Sequence, residues 1–343
     1  MTPDPDFSQK FSALKAAAQR QRGSSPSGDL RRALNDLAVL SDIDDMVIAD
    51  LVAELSSPTG AGFLAVWLGA RVEGGRDPDR TGRPIAEAFL KWSRTIGTRT
   101  DHEADGDGGA VDNPHQGDDE TIAGMQLLGQ ALVAHLARSP GLRRWFVETD
   151  EIYGELRRVQ QHSIGAAWML ELLRQRSGKL VVLNVRHKIG VVVLYSNIAT
   201  CFHLFTLLQG ALAEVMPDAQ KVSKHVIDIA RGAQPGMAQD TAWWHYGQAH
   251  AAEPSLSASV WGEAGPESIS TVDGRQVLLL WPPILQSRSW DAGFFSPILE
   301  ATPPGVAVME VLSSSQVEAW QARLGLAPTA SFDRSWRGKP CAR

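Results

Sequence analysis

The run from Gly178 to Met216 constrains the fold of this chain more than any other stretch. Two β-rich segments open it, Leu180–Arg186 and Val191–Ser196. In the first, Val181, Leu183 and Val185 alternate with Val182, Asn184 and Arg186, the period-two pattern of a strand. His187–Gly190 supplies a turn, with Gly190 suited to positive φ, so the pair predicts a hairpin. The polar stretch Ser196–Thr200 then leads into an apolar, helix-like run containing Cys201, Phe202 and His203. Upstream of Gly178 the apolar spacing is helical, and downstream it is mixed. A chain that changes period in this way predicts an α+β fold, with a helical N-terminal half followed by a small mixed or antiparallel sheet with packed helices.

The helical half divides further. Residues 1–97 read as a helical region, with Leu30, Leu34 and Leu37 at helical spacing and a helix-start signal at Ser41 and Asp44. Further helices are predicted over Ala61–Val72 and Pro84–Ile96, with loops at Gly23–Gly28 and Gly74–Gly82. Residues 98–119 hold seven Asp and Glu residues among glycines and almost nothing apolar to bury, which predicts a solvated, flexible acidic loop. A cation site there is the alternative, but Asp101, Asp105 and Asp107 do not follow the ligand spacing of a helix–loop–helix calcium site. Helix resumes over 120–178 with Gly178 as its stop, and the α+β region spans 179–328, with 329–343 as a tail. Within it, helices are predicted at about 202–216 and 221–231. Strands are predicted at Leu256–Trp261, at Val306–Leu312, and on both sides of the turn Asp273-Gly274. Ser315 and Glu318 read as the capping box of a last helix ending near Gly325.

The net charge of −6 argues against generic nucleic-acid binding, which needs clustered cations. No apolar run approaches the ~20 residues of a membrane helix, and the N-terminus lacks the apolar core of a signal peptide. Two cysteines form no disulfide framework, which suits a reducing compartment and a cytoplasmic protein. There is no glycine-rich phosphate loop, no Gly-x-Ser-x-Gly elbow and no His-x-x-x-His or Cys-x-x-Cys pair. The sequence therefore names no cofactor and no metal.

Three constellations could carry chemistry. Cys201 stands at a strand-to-helix junction, where the first turn of a helix favours a thiolate. His203 is two residues on, which on a helix is the wrong face for a direct base. Both residues equally suit a core. Trp243-Trp244-His245-Tyr246-Gly247 can line a pocket, with His245 as a reactive group and Trp244 and Tyr246 against a planar ligand, or can plug a core edge. Trp281-Pro282-Pro283 precedes Arg288-Ser289-Trp290-Asp291, where Arg288 can grip an anion or pair with Asp291. A Cys201/His203/His245 metal site would need the fold to gather all three.

Tyr195–Gln209 (YSNIATCFHLFTLLQ), Gly129–Arg138 (GQALVAHLAR) and Trp281–Phe295 resemble a group of uncharacterised cytosolic proteins from high-GC bacteria, over roughly Leu37 to Leu326. The resemblance implies a bacterial, cytosolic protein and carries no activity. Two functions stand as expectations. One is an enzyme or small-molecule binder whose aromatic-lined pocket lies in the C-terminal half, with Cys201, His203 and His245 as reactive groups and Trp244, Tyr246, Trp281, Arg288, Trp290 and Asp291 around the ligand. The other is an accessory protein without chemistry, docking a protein partner through exposed tryptophan and arginine side chains.

Overall fold

The computed structural model describes residues 5–39, 43–96, 115–217, 219–234, 236–285, 289–292 and 301–326. Most of the acidic segment, Arg288 and the C-terminal tail lie outside the described residues. The fold is α+β, and the chain forms two compact units, Met1–Leu173 and Arg174–Arg343.

The first unit is helical among its described residues: α1 (Pro5–Arg20), α2 (Gly28–Ala38), α3 (Asp45–Glu54), α4 (Pro58–Glu73), α5 (Pro78–Ser93), α6 (His115–Arg138), α7 (Pro140–Glu148), α8 (Asp150–Val159) and α9 (Ile164–Arg174, whose last residue opens the second unit). Side-chain caps start most of them. Ser27, Asp44, Ser57, Asp77 and Ser139 each accept a backbone N–H of the first turn, satisfying a donor the helix leaves open. Asp44 itself caps α3, and Ser41 lies outside the described residues. The expected Gly74–Gly82 loop is shorter than its composition suggested. Asp77 with Pro78 behind it begins α5 six residues before Pro84, which sits inside the helix. Helix α6 likewise begins at His115, inside the segment expected to be loop.

Small residues let these helices approach closely. A Cβ on Gly129 of α6 would lie 2.6 Å from the Cα of Gly165 on α9, so neither position has room for a side chain. Buried His135 ties α6 to α5. Its Nδ1 lies 2.7 Å from the Ala131 carbonyl, which can only accept, so Nδ1 carries the proton and Nε2 accepts from Thr81 at 2.8 Å. Burial holds this imidazole below its ordinary pKa.

The second unit is built on a mixed sheet. Its elements are β1 (Arg176–Asn184), β2 (Ile189–Ile198), α10 (Cys201–Leu212), α11 (Lys224–Ala230), β3 (Gln239–Thr241), β4 (His245–Gln248), β5 (Thr271–Val272), β6 (Arg275–Trp281), β7 (Ser289–Asp291), β8 (Gly305–Leu312) and α12 (Ser314–Arg323). The strand order is β4-β6-β1-β2-β8, with β5 also on β6, and β3 pairs β7 in a separate ribbon. The β1–β2 hairpin is present, and β1 runs parallel to β6. Both faces of the sheet are covered. Leu180, Val182, Val191, Val193, Tyr246, Leu278 and Leu280 join the core with α10, while Val181, Leu183, Val277 and Leu279 pack with Val317 and Trp320 of α12. That is why both alternating sets of β1 are buried from Leu180 through Asn184.

Several turn signals were spent differently. Gly178 ends no helix, since α9 stops at Arg174; it lies within β1, where a Cβ would press on the Tyr195 ring. Gly190 is an extended residue of β2, and Lys188 takes the positive φ of the turn. A Cβ at Gly190 would meet Leu183 at 2.8 Å and Leu312 at 2.9 Å, so packing, not the turn, requires glycine there. The Asp273-Gly274 turn holds, with φ of 49° and 73° at its two residues. Leu256–Ala258 is a short 3₁₀ turn instead of a strand, and the last helix is capped by Ser313 and Gln316, two residues before the expected box.

Candidate functional site

Helix α10 organises the middle of the second unit. Thr200 caps it, accepting the His203 N–H. The first two N–H groups of the helix are also taken: Cys201 donates to the Ala264 carbonyl at 2.7 Å and Phe202 to the Gly262 carbonyl at 2.9 Å. The helix start that could have activated a thiol is thus plugged by the chain between β4 and β5. The Cys201 side chain is fully buried beside Tyr195 and Ser268, and burial pushes its pKa up to about 12. Ser268 hydrogen-bonds the thiol and lowers its pKa, but the larger desolvation effect wins. The arrangement holds a neutral thiol, not a nucleophile.

His203 points elsewhere, as its spacing requires. Its Nε2 donates to the Ala230 carbonyl at the end of α11, and burial brings its pKa down to about 4. It pins two helices together as a neutral imidazole. His245 is buried in β4 opposite Trp281 of β6, on the sheet face away from Trp244 and Tyr246. Cys201, His203 and His245 are therefore not gathered. Among the described residues no group of three His, Cys, Asp or Glu side chains is placed to hold a metal ion.

The expected ligand-facing aromatics form a closed core. The Phe205 and Tyr246 rings stack 3.7 Å apart and nearly parallel, and Trp290 leans on Phe205 and Phe202. Trp244, Tyr246 and Trp290 are buried with them. Trp281 is half-buried on the other face, against the α12 cluster, and its Nε1 has no hydrogen-bond partner among the described residues. Asp291 is exposed on the ribbon, and Arg288 lies outside the described residues. Of the two arrangements open to these rings in the sequence, a pocket lining or a plug of the core, they take the packed one.

What the sequence reading missed is the polar thread through this core. Phe202, Phe205, Thr206 and Gln209 lie at helical spacing on one face of α10. Gln209 Oε1 accepts from the Tyr246 hydroxyl at 2.7 Å and the Trp243 N–H at 3.1 Å. Its amide nitrogen donates to Asp240 at 3.0 Å and to the Thr241 carbonyl at 3.1 Å. All four of its hydrogen-bonding positions are filled. Thr206 accepts from Trp290 Nε1 at 2.7 Å and also hydrogen-bonds Asp240. Burial raises the Asp240 pKa, while hydrogen bonds from Thr241, Thr206 and Gln209 oppose the rise. The signal available in the sequence was Thr206 and Gln209 themselves, two polar residues three apart in a helix that is apolar but for them and His203.

Open space occurs elsewhere on the same helix. A cavity of about 320 Å³ lies beside the second half of α10, walled by Leu207, Gly210 and Ala211, by Val222 and Ile227 from the α11 side, and by Val306 of β8. Glu214, Lys221 and Arg231, all exposed, also line it. None of the expected site residues lines it. Among the described residues no helix is long and apolar enough to cross a membrane. No family model, curated protein or solved structure matches this chain.

Proposed function

We propose that this is a cytoplasmic bacterial protein that binds a small molecule in the cavity beside α10, with the aromatic cluster as the scaffold that holds α10 in place. The observation that carries the reading is the cavity. Its volume falls at the low end of small-ligand sites, and its lining mixes aliphatic side chains with the charged Glu214, Lys221 and Arg231. Thiol catalysis has little support, because Cys201 is buried with its pKa pushed up to about 12 and His203 is bonded to the Ala230 carbonyl. The cytoplasmic placement rests on the sparse cysteines and on the resemblance noted in the sequence. Methyl-labelled NMR of the full chain against a fragment library tests the reading. Shifts confined to Leu207, Val222, Ile227 and Val306 support it. Shifts centred on residues packed against Trp244, Tyr246 and Trp290 would refute it.

A second reading is docking of a protein partner, here at a strand edge. Strand β8 ends the strand order of the sheet and exposes Met309 (60%) and Val311 (55%), with Leu194 of β2 (40%) nearby across the pair. Edge strands are commonly blunted with charge or proline, and the one charged side chain here, Glu310, accepts a hydrogen bond from Gln316 of α12. Met309→Lys should abolish pull-down of a partner if this edge is the interface, and unchanged capture would exclude it.

A further inference from the structure

The cavity beside α10 carries a charge pattern that selects among small molecules, and this inference rests on the binding role proposed above. Its apolar lining is aliphatic and runs from the buried Leu207 and Val306, which form the floor, to the part-exposed Val222 and Ile227, whereas its charged lining is exposed and marks the mouth. Its mouth has two cations, Lys221 and Arg231, against one anion, Glu214, and all three are exposed. Among the described residues none of the three forms an ion pair with another side chain, whereas Lys224 on the same helix as Ile227 is paired with Asp228. An apolar body placed on the floor brings its polar end to the mouth. There a negative head group meets an excess of positive charge, and a planar carboxylate suits the forked donors of Arg231. A cationic head group would meet the same excess as repulsion.

We infer that the cavity takes an amphipathic monoanion, a short aliphatic carboxylate in which the chain fills the apolar floor and the carboxylate lies between Lys221 and Arg231. An aromatic ligand is disfavoured, because the rings of this unit are packed among themselves and the cavity wall offers no face to stack on. The volume, at the low end of small-ligand pockets, suits a short chain such as octanoate better than a long fatty acid.

The test compares octanoate, 1-octanol and octylamine on the full-length protein, read by methyl shifts and by calorimetry. Octanoate should bind saturably and at least tenfold more tightly than octylamine, with shifts at Leu207, Val222 and Ile227. Lys221→Glu combined with Arg231→Glu should weaken octanoate at least tenfold while leaving octanol within twofold. Both positions are exposed, so the variant should keep the wild-type circular dichroism and melting profile, and octanol binding confirms that the cavity is intact. If octanoate and octylamine bind equally, or charge reversal leaves octanoate unchanged, the anion preference is wrong although the cavity still binds. If none of the three shifts the cavity methyls, both the preference and the binding role fall.

Discussion

Replacing Gln209 with Leu isolates the polar thread from the apolar packing around it. The two side chains are close in size, so the change leaves little void, and its effect is dominated by hydrogen bonds. Gln209 is fully buried and makes four of them. Two go to groups near the surface, the Trp243 N–H and the Thr241 carbonyl, which water can reach at small cost. The other two go to the buried Tyr246 hydroxyl and the buried Asp240 carboxylate. Withdrawing a partner from a buried polar group costs about 1–3 kcal/mol each. Asp240 keeps its bonds from Thr241 and Thr206, which puts it at the low end. Against this, the Leu side chain gains about 1 kcal/mol of apolar burial. The net expectation is a loss of about 1–3 kcal/mol from the second unit. Because two units need not unfold together, the assay must report on this one. With Cys341→Ser as background, Cys201 is the sole thiol of the chain, and its alkylation in a urea series reads the opening of the core around α10. At a urea slope of about 2 kcal/mol/M, the midpoint should fall by about 0.5–1.5 M. Tyr246→Phe alone should cost about 1 kcal/mol, and the double variant should show coupling above about 0.5 kcal/mol. A midpoint within 0.3 M of the parent, or zero coupling, would show that the thread contributes nothing and that ring packing alone fixes α10.

Native Cys201 should resist alkylation. With its pKa at about 12, the thiolate fraction at pH 8 is roughly a thousandfold below that of an ordinary exposed thiol, so native and urea-unfolded rates should differ by at least that factor; comparable rates would contradict the burial. His203 sets an acid limit. Its pKa is lowered to about 4 on folding against about 6.5 unfolded, so its contribution is fully present above the unfolded value and is lost as pH falls from about 6.5 towards 4. The second unit should lose on the order of 3 kcal/mol over that window, and His203→Gln should flatten the profile; an unchanged profile in the variant would assign the acid loss to other groups. In the first unit, Gly165→Ala should destabilise by about 2–4 kcal/mol, since its Cβ would lie 2.8 Å from the Cα of Gly129. A melting temperature within a degree of the parent would mean the two helices separate without penalty.

The architecture was legible where a local rule and the packing agree. The hairpin, the Asp273-Gly274 turn and the succession of helices follow from spacing, capping and turn chemistry that neighbours along the chain decide. Gly178 and Gly190 misled because a glycine in sequence reads as a stop or a turn, whereas here its lack of a side chain is used against Tyr195, Leu183 and Leu312, contacts set by distant residues. The placement of the candidate site residues was open in the sequence for a related reason. Rings close together in sequence can surround a ligand or one another, and the choice depends on what arrives from elsewhere: the Gly262 and Ala264 carbonyls over the start of α10, and Asp240 and Trp290 against Thr206 and Gln209. Helix α10 shows the outcome on two of its faces. Residues 202, 205, 206 and 209 are large or fully bonded and close the core. Residues 207, 210, 211 and 214 share the same spacing and line the cavity. The bare Gly210 serves close packing there, since a Cβ on it would lie 2.6 Å from Ile227 Cδ1 of α11. Rings and a fully bonded glutamine seal the other stripe, so in this unit the place to seek a ligand is the stripe beside the aromatic core rather than the core itself.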